Sequence, residues 1–238
     1  MKNTLLLTGY TDSYRNIFDP DHKDDTMESV FDATLPSKLS YVKKHNYDIM
    51  CVRNFEGASG VEKNESFNNP TRDLGFARIT KTFQMLQFYD IVMWIDADSL
   101  ITNQDSPIED MIGDANQPFI ASHDWSTKNY VSTGNFIIQK TEGIQDFAGS
   151  FYGIASNFPE EQSTINWIYS NMDKSKHIKV LDHKYLNSVP SREMYSESWR
   201  GRKHIISNWR EDSFLLHLTG VDNKTRNRIL KDYFGKFL

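Results

Sequence analysis

The stretch from Ile91 to Asp98 reads Ile-Val-Met-Trp-Ile-Asp-Ala-Asp, an apolar run that stops at two carboxylates separated by one alanine. Five consecutive apolar residues are too few for a helix and carry no polar alternation, so the run reads as a buried central strand. Strand alternation puts Asp96 and Asp98 on the same side of the chain, one pleat apart. They fall where the strand leaves the core, the edge at which open α/β sheets place their ligands. Two ionised carboxylates this close repel each other unless a cation sits between them. The expected chemistry is a divalent metal site that also holds a phosphate-bearing substrate.

A second candidate ligand lies far along the chain. His217 follows Phe214-Leu215-Leu216 and so also leaves a core strand at its end. Hard carboxylate oxygens suit Mg²⁺ or Mn²⁺, and an added imidazole favours Mn²⁺. Gly220 permits close approach of the backbone to a diphosphate, and Lys224 and Arg226 just beyond it have the charge to pair with phosphate oxygens. Each of these residues has a second reading. Asp96 and Asp98 can cap a turn or pair with surface lysines, and His217 can be a hydrogen-bonded core histidine. Arg78, off the apolar stripe of its helix, can be a solvated charge. Glu161 and Gln162 can mark a helix N-terminus favoured by its dipole. Asn135 can be a strand-edge residue, although Gly134 beside it hints at a close ligand. Trp125, Trp199 and Trp209 can stack on sugar faces or simply pack.

The elements that must position these groups alternate. Leu5 to Thr8, Ile49 to Val52 and Ile91 to Ile95 read as strands, and residues 36–46 and 74–88 as the helices near them. Pro36 is placed near the start of the first helix, with Leu39, Tyr41 and Val42 inward. Phe76, Ile79, Phe83 and Leu86 form the apolar stripe of the second. Phe119 to Ser122 and Asn135 to Ile138 are further strands. Ile144, Phe147, Phe151 and Ile154 mark another helix, Phe214 to Leu218 a late strand, and residues 223–237 a C-terminal helix. Strand–helix alternation in the first half implies right-handed parallel crossovers and an α/β class; the second half is less regular and mixed. Asp12 to Thr34, rich in acidic residues, and Glu56 to Asn69 read as surface loops.

Bulk composition narrows the class. The 238 residues suffice for one substantial domain, and 38% hydrophobic with 25% charged residues describe an ordinary globule. A formal net charge of -5 gives no support for nucleic acid as a partner. The single cysteine, Cys51, sits in Ile49-Met50-Cys51-Val52 and reads as a small core residue; one cysteine forms no disulfide within a chain. No apolar run reaches the length of a transmembrane helix and no signal-peptide pattern opens the chain, which suggests a cytoplasmic protein, or a truncated membrane-anchored relative.

The strand leading into Asp96-Ala97-Asp98, followed by Ser99-Leu100-Ile101-Thr102-Asn103, resembles the nucleotide-sugar-binding motif of GT-A-fold glycosyltransferases. Three segments extend the resemblance. Asn129 to Ile138 is similar to the Asn-containing strand that borders the donor sugar, Pro159-Glu160-Glu161-Gln162 to the acidic-Gln step before a helix, and His217-Leu218-Thr219-Gly220 to the late His-x-x-Gly that completes the metal shell. Together they resemble the galactosyl-, mannosyl- and xylosyltransferases of fungal and plant Golgi, while Phe76-Ala77-Arg78 is similar to the glycogenin and bacterial galactosyltransferase group. The resemblance implies a GT-A Rossmann-like sandwich with a central mixed, mostly parallel sheet. The chain would be one domain, with a nucleotide-binding half over about 1–103 and an acceptor- and metal-completing half over about 104–238. It further implies a metal-dependent transferase moving a sugar, with retention, from a nucleoside-diphosphate sugar to a carbohydrate or glycoconjugate acceptor. Asp96, Asp98 and His217 would hold Mn²⁺ or Mg²⁺, Asp96 also bridging to the ribose or sugar. Thr8, Gly9 and Tyr10 would border the nucleobase; Arg78, Ala97, Gly134, Gly220 and Lys224 would line the donor; Glu161, Gln162 and Asn135 would be the catalytic residues at the reacting centre, where no nucleophile is identifiable and Glu161 is only a candidate. The competing readings are a haloacid-dehalogenase-type phosphatase, whose Asp-x-Asp follows the first strand rather than the third, a sugar-nucleotide pyrophosphorylase, which wants a Gly-rich loop where Thr8-Gly9-Tyr10-Thr11-Asp12 has one Gly, and a non-catalytic carbohydrate- or nucleotide-binding domain.

Overall fold

The computed structural model describes residues 2–10, 26–53, 72–124, 127–190, 194 and 208–237. In chain order the elements are β1 (Thr4–Tyr10), α1 (Met27–His45), β2 (Asp48–Arg53), α2 (Arg72–Met85), β3 (Ile91–Asp96), β4 (Ser99–Ile101), α3 (Ile108–Ile112), β5 (Phe119–Asp124) and β6 (Thr127–Gln139). They continue with α4 (Ile144–Ala155), α5 (Glu161–Asn171), α6 (Lys174–His177), β7 (Ile178–Leu181), α7 (His183–Leu186), β8 (Leu215–His217) and α8 (Asn223–Phe234).

Six strands form the central sheet in the order β2-β1-β3-β6-β5-β7. β1 runs parallel to β2 and β3, β5 parallel to β7, and β6 antiparallel to both β3 and β5, so β6 alone is reversed. The mostly parallel, mixed sheet expected from the alternation is therefore present. Both faces are covered, as a parallel sheet requires. Leu5, Leu7, Val92 and Trp94 point to the side packed by Phe76, Phe147, Phe151 and Ile165 of α2, α4 and α5. Leu6, Ile91, Met93 and Ile95 point to the side packed by Tyr41 and Val42 of α1, with Met111 and Leu186 from α3 and α7. No helix is long and apolar enough to cross a membrane among the described residues.

Four expectations need correction. The acidic segment read as a loop through Thr34 ends earlier: α1 begins at Met27, where the Thr26 side chain accepts the Ser29 N–H and caps the helix. Residues 12–25 of that segment, and 56–69, lie outside the described residues. Pro36 sits mid-helix, not at its start, because Val30, Phe31, Thr34, Lys38, Tyr41 and Val42 already bury a continuous stripe around it. Leu39 lies on the opposite face and is 45% exposed, not inward. Cys51 is exposed rather than in the core. It sits on β2, which ends the strand order, so its apolar run is only half covered.

Candidate functional site

The fold delivers the carboxylate pair and the histidine to one place through two registers. β3 lies beside β1 with Asp96 opposite Gly9, at the carboxyl ends of two parallel strands. The chain then turns at Ala97 and Asp98 into β4, which pairs antiparallel with β8 and sets Ser99 opposite His217. The Leu218 N–H donates to the Asp98 carbonyl at 3.0 Å, locking the turn to the far strand. Asp96, Asp98 and His217 then offer ligand atoms that all lie within 4.8 Å of one another.

Each of the three has one atom anchored and another turned to a common point. Asp96 Oδ1 accepts from Arg78 at 2.5 Å and from the Trp94 indole N–H at 2.7 Å, and Oδ2 faces His217 Nε2 at 3.8 Å. Asp98 Oδ2 accepts from Arg226 at 2.9 Å, and Oδ1 lies 3.5 Å from the same Nε2. His217 Nδ1 is 2.9 Å from Asn187 Oδ1. The Asn187 amide nitrogen donates to the His123 carbonyl at 2.9 Å, so its oxygen is the atom aimed at the imidazole. Nδ1 is therefore the ring nitrogen that donates to Asn187, and Nε2 is the one turned toward both carboxylates. An anchored tautomer with its second nitrogen free is the usual state of a metal-ligating histidine. The donor set thus fits a hard divalent cation.

Gly134 on β6 makes room for this arrangement. A Cβ there would stand 2.4 Å from His217 Cε1 and 3.1 Å from Asp96 Oδ2. Next to it, Asn135 is fully buried; its Oδ1 accepts the Asp96 N–H at 3.0 Å, while its Nδ2 has no hydrogen-bond partner among the described residues. Thr8 Oγ1, at the end of β1, is likewise buried without a partner among the described residues.

The surrounding charges are ordered. Arg78 bridges Asp96 and Glu161, and Glu161 also accepts from Thr133 Oγ1 at 2.9 Å. Burial disfavours the Arg78 cation, but Asp96 and Glu161 outweigh it and hold the guanidinium charged. Burial likewise pushes the Asp98 carboxyl upward; Arg226, then His217 and Lys38, reverse this and hold it well below the usual carboxylate range. Lys38, 0% exposed on α1, donates to Thr34 Oγ1 and the Asp96 carbonyl, each at 3.0 Å, and to the Ala97 carbonyl at 3.4 Å. Burial lowers its ammonium to about 7, against the upward pull of Asp98 and Asp96. Thr34 Oγ1 donates to the same Ala97 carbonyl at 2.6 Å, so α1 grips the turn from below.

The remaining residues singled out in the sequence divide. Gln162 accepts the Thr133 N–H at 3.2 Å and donates to Asp124 at 3.3 Å, which ties α5 to β6 and β5. Tyr10 donates to Glu28 at 2.8 Å and packs on Phe31, so its ring is engaged by α1. Gly220 (φ 75°) and Lys224 are exposed on the turn and first helical turn after β8. Trp209 packs edge-on against Phe234 and is a core contact rather than an exposed platform. Trp125 and Trp199 lie outside the described residues. Sequence reasoning missed Asn187, Lys38, and the pairing of Arg226 with Asp98. Lys38 had a signal, since it falls on the apolar stripe of α1 three residues before Tyr41; the other two had none.

No protein-family model matches the sequence, and no curated protein matches it. Comparison of structures is informative. A glycosyltransferase involved in the glycosylation of the major capsid of PBCV-1 aligns with a TM-score of 0.61 at 18% identity, over 96% of this chain and 98% of that one. Mouse xyloside xylosyltransferase 1 aligns with a TM-score of 0.51 at 8% identity, over 91% and 98%. The bifunctional glycosyltransferase WbbM aligns with a TM-score of 0.52 at 9% identity, over 99% of this chain and 51% of that one. At such identities the likeness fixes the fold, and the chain has the GT-A glycosyltransferase fold.

Proposed function

We propose that this chain is a metal-dependent glycosyltransferase that moves a sugar from a nucleoside-diphosphate sugar to a carbohydrate or glycoconjugate acceptor. The observation that carries this reading is the convergence of Asp96 Oδ2, Asp98 Oδ1 and His217 Nε2 at the carboxyl end of β3, in a GT-A fold. A divalent cation held there supplies Lewis-acid neutralisation of the charge that develops on the departing diphosphate. Arg78 and Trp94 fix Asp96, Arg226 fixes Asp98, and Asn187 fixes His217, so the ligands are positioned before any substrate arrives. Gly9 and Thr8, beside Asp96 at the end of β1, border the nucleotide, and the unpartnered Asn135 Nδ2 is a donor for the sugar on the opposite side. Glu161 is engaged by Arg78 and Thr133, which supports a role in orienting Arg78 at the donor over a role as a free nucleophile. Retention is proposed on the resemblance to retaining families. The division into a nucleotide-binding half and a metal-completing half is supported by His217 and Asn187 joining the carboxylates from the second half.

The test is a donor screen by calorimetry with UDP-, GDP- and dTDP-sugars in the presence of Mn²⁺, followed by a search for free sugar without acceptor, since water reaches an activated anomeric carbon. Binding of one nucleotide class only with metal, and slow donor hydrolysis, are the expected results. Failure of every donor to bind, together with stabilisation by a metallofluoride phosphate mimic, would refute the transferase.

A further inference from the structure

The carboxylates of the candidate metal site are not bare. Asp98 is 6% exposed, and its Oδ2 is taken by the Arg226 guanidinium at 2.9 Å. That guanidinium is itself pinned: Nε donates to the Leu218 carbonyl at 3.0 Å and a terminal nitrogen to Asn223 Oδ1 at 2.7 Å. Leu218 adjoins His217, and Asn223 opens α8 one residue after its Asp222 cap, so the cation is held by the same turn that delivers the histidine. Around the point where the three ligands converge stand the carboxylates of Asp96, Asp98 and Glu161, and the side chains of Arg78, Arg226 and Lys38. The two guanidiniums are permanently charged and cannot release a proton to make way for metal.

We infer that Arg226 is a built-in counter-cation, which keeps the site from taking up a divalent cation alone and makes cation capture depend on the diphosphate that arrives with it. The inference rests on the metal-dependent transferase reading above. With Arg226 against Asp98, a lone divalent ion enters a site whose negative charge is already matched, and it meets an immobile positive charge across a carboxylate. A nucleoside diphosphate brings the missing negative charge and gives the guanidinium a second set of oxygens. The balance is set by charge and geometry, and no protonation change is needed.

The experiment measures Mn²⁺ binding, by the loss of the free-ion electron paramagnetic resonance signal, to the parent chain, Arg226→Gln and Arg226→Lys, each alone and with UDP or GDP. The parent should bind Mn²⁺ weakly alone and much more tightly with one of the nucleotides. Removing a unit charge this close to the cation should raise the affinity of Arg226→Gln for Mn²⁺ alone by about tenfold or more. Arg226→Lys, which keeps the charge, should stay within about threefold of the parent, and adding Asp98→Asn to Arg226→Gln should abolish the gain. If Arg226→Gln does not fold, Arg226→Met takes its place: it also removes the charge while keeping an unbranched apolar stem, and it should tighten Mn²⁺ binding without nucleotide. Unchanged or weaker Mn²⁺ binding in the folded variant, with the parent still binding Mn²⁺ and nucleotide together, overturns this inference and leaves the transferase reading standing. A parent that binds no Mn²⁺ with either nucleotide overturns both.

Discussion

Replacing Gly134 by alanine tests the geometry of the site with one carbon atom. Gly134 is not among the residues with positive φ, so its backbone accepts a side chain and the effect is steric alone. The new Cβ would lie 2.4 Å from His217 Cε1, about 1 Å short of an ordinary carbon–carbon contact. The imidazole has little room to retreat: His217 is 4% exposed, hydrogen-bonded to Asn187 at Nδ1, and its strand is paired to β4. Overpacking of this kind costs about 1–3 kcal/mol, and the loss of a strand glycine gives back about 0.5–1 kcal/mol. A net loss centred on about 1 kcal/mol is expected, read as a fall in melting temperature of roughly 2–4 °C for a domain of this size. Shifting the imaginary line between His217 Nε2 and the carboxylates should also weaken Mn²⁺ binding with UDP or GDP by about 10–100-fold, as displacement of a ligand's supporting contacts does elsewhere. The two effects separate in a double-mutant cycle. In the His217→Ala background the ring is gone and Gly134→Ala should cost no stability. Urea unfolding of the four proteins and a metal titration of the parent and Gly134→Ala provide the measurement. If Gly134→Ala matches the parent within about 0.5 kcal/mol and binds metal and nucleotide unchanged, the packing of His217 against β6 is wrong.

Three further outcomes follow from the same contacts. Asp98→Asn leaves the Arg226 guanidinium facing a neutral amide in a buried place; it should destabilise by about 3 kcal/mol and lose metal-dependent nucleotide binding, and an unchanged melting temperature would contradict the ion pair. Burial and the neighbouring Glu161 charge raise the Glu160 carboxyl above its ordinary value of 4.5. Its contribution to stability is therefore present in full below that value and lost as pH rises through the folded-state value. Glu160→Gln should then be slightly more stable than the parent at pH 7, by less than about 0.5 kcal/mol because the group is largely solvent-screened, and the gain should vanish as pH falls toward 4; a gain that persists there would show a different cause. Thr26→Ala removes the side-chain acceptor that caps α1 at the Ser29 N–H, 3.1 Å away, and should cost about 1 kcal/mol by thermal unfolding; no change would place the start of α1 elsewhere.

The parts of the fold legible in the sequence are those where a local pattern and the tertiary environment agree. The run from Ile91 to Ile95 is buried on both faces, so its apolar continuity is the whole signal, and it forms β3 as read. The stripe of Phe147 and Phe151 likewise predicts α4 because one side of the helix meets the sheet. Where the two disagree, the sequence misleads. Pro36 carries a strong local signal for a helix start, yet Thr26 supplies a true cap ten residues earlier, and the buried face from Val30 to Val42 holds the helix through the proline. Cys51 sits in a run that looks like a core strand, but whether a strand is central or at the edge is decided by pairing order.

The candidate site was readable as residue types and unreadable as pairings. Asp96, Asp98 and His217 each end an apolar run, and that position at a strand terminus is visible in one dimension. The contacts that make them a site join residues far apart in the chain. Arg78 reaches Glu161, Arg226 reaches Asp98, and Asn187 sets the tautomer of His217. Nothing in the sequence near Asn187 announces its role, because a buried amide between Leu186 and Ser188 acquires a function only when β8 brings the imidazole to it. The same holds for charge. Counting the carboxylates along β3 suggests a site that is strongly negative and eager for metal. Placing Arg226 and Arg78 on their outer oxygens shows that half of each carboxylate is already committed. The inner oxygens remain, and their alignment with His217 Nε2 follows from those commitments, since a carboxylate held at one oxygen by a fixed guanidinium has little freedom to turn the other away.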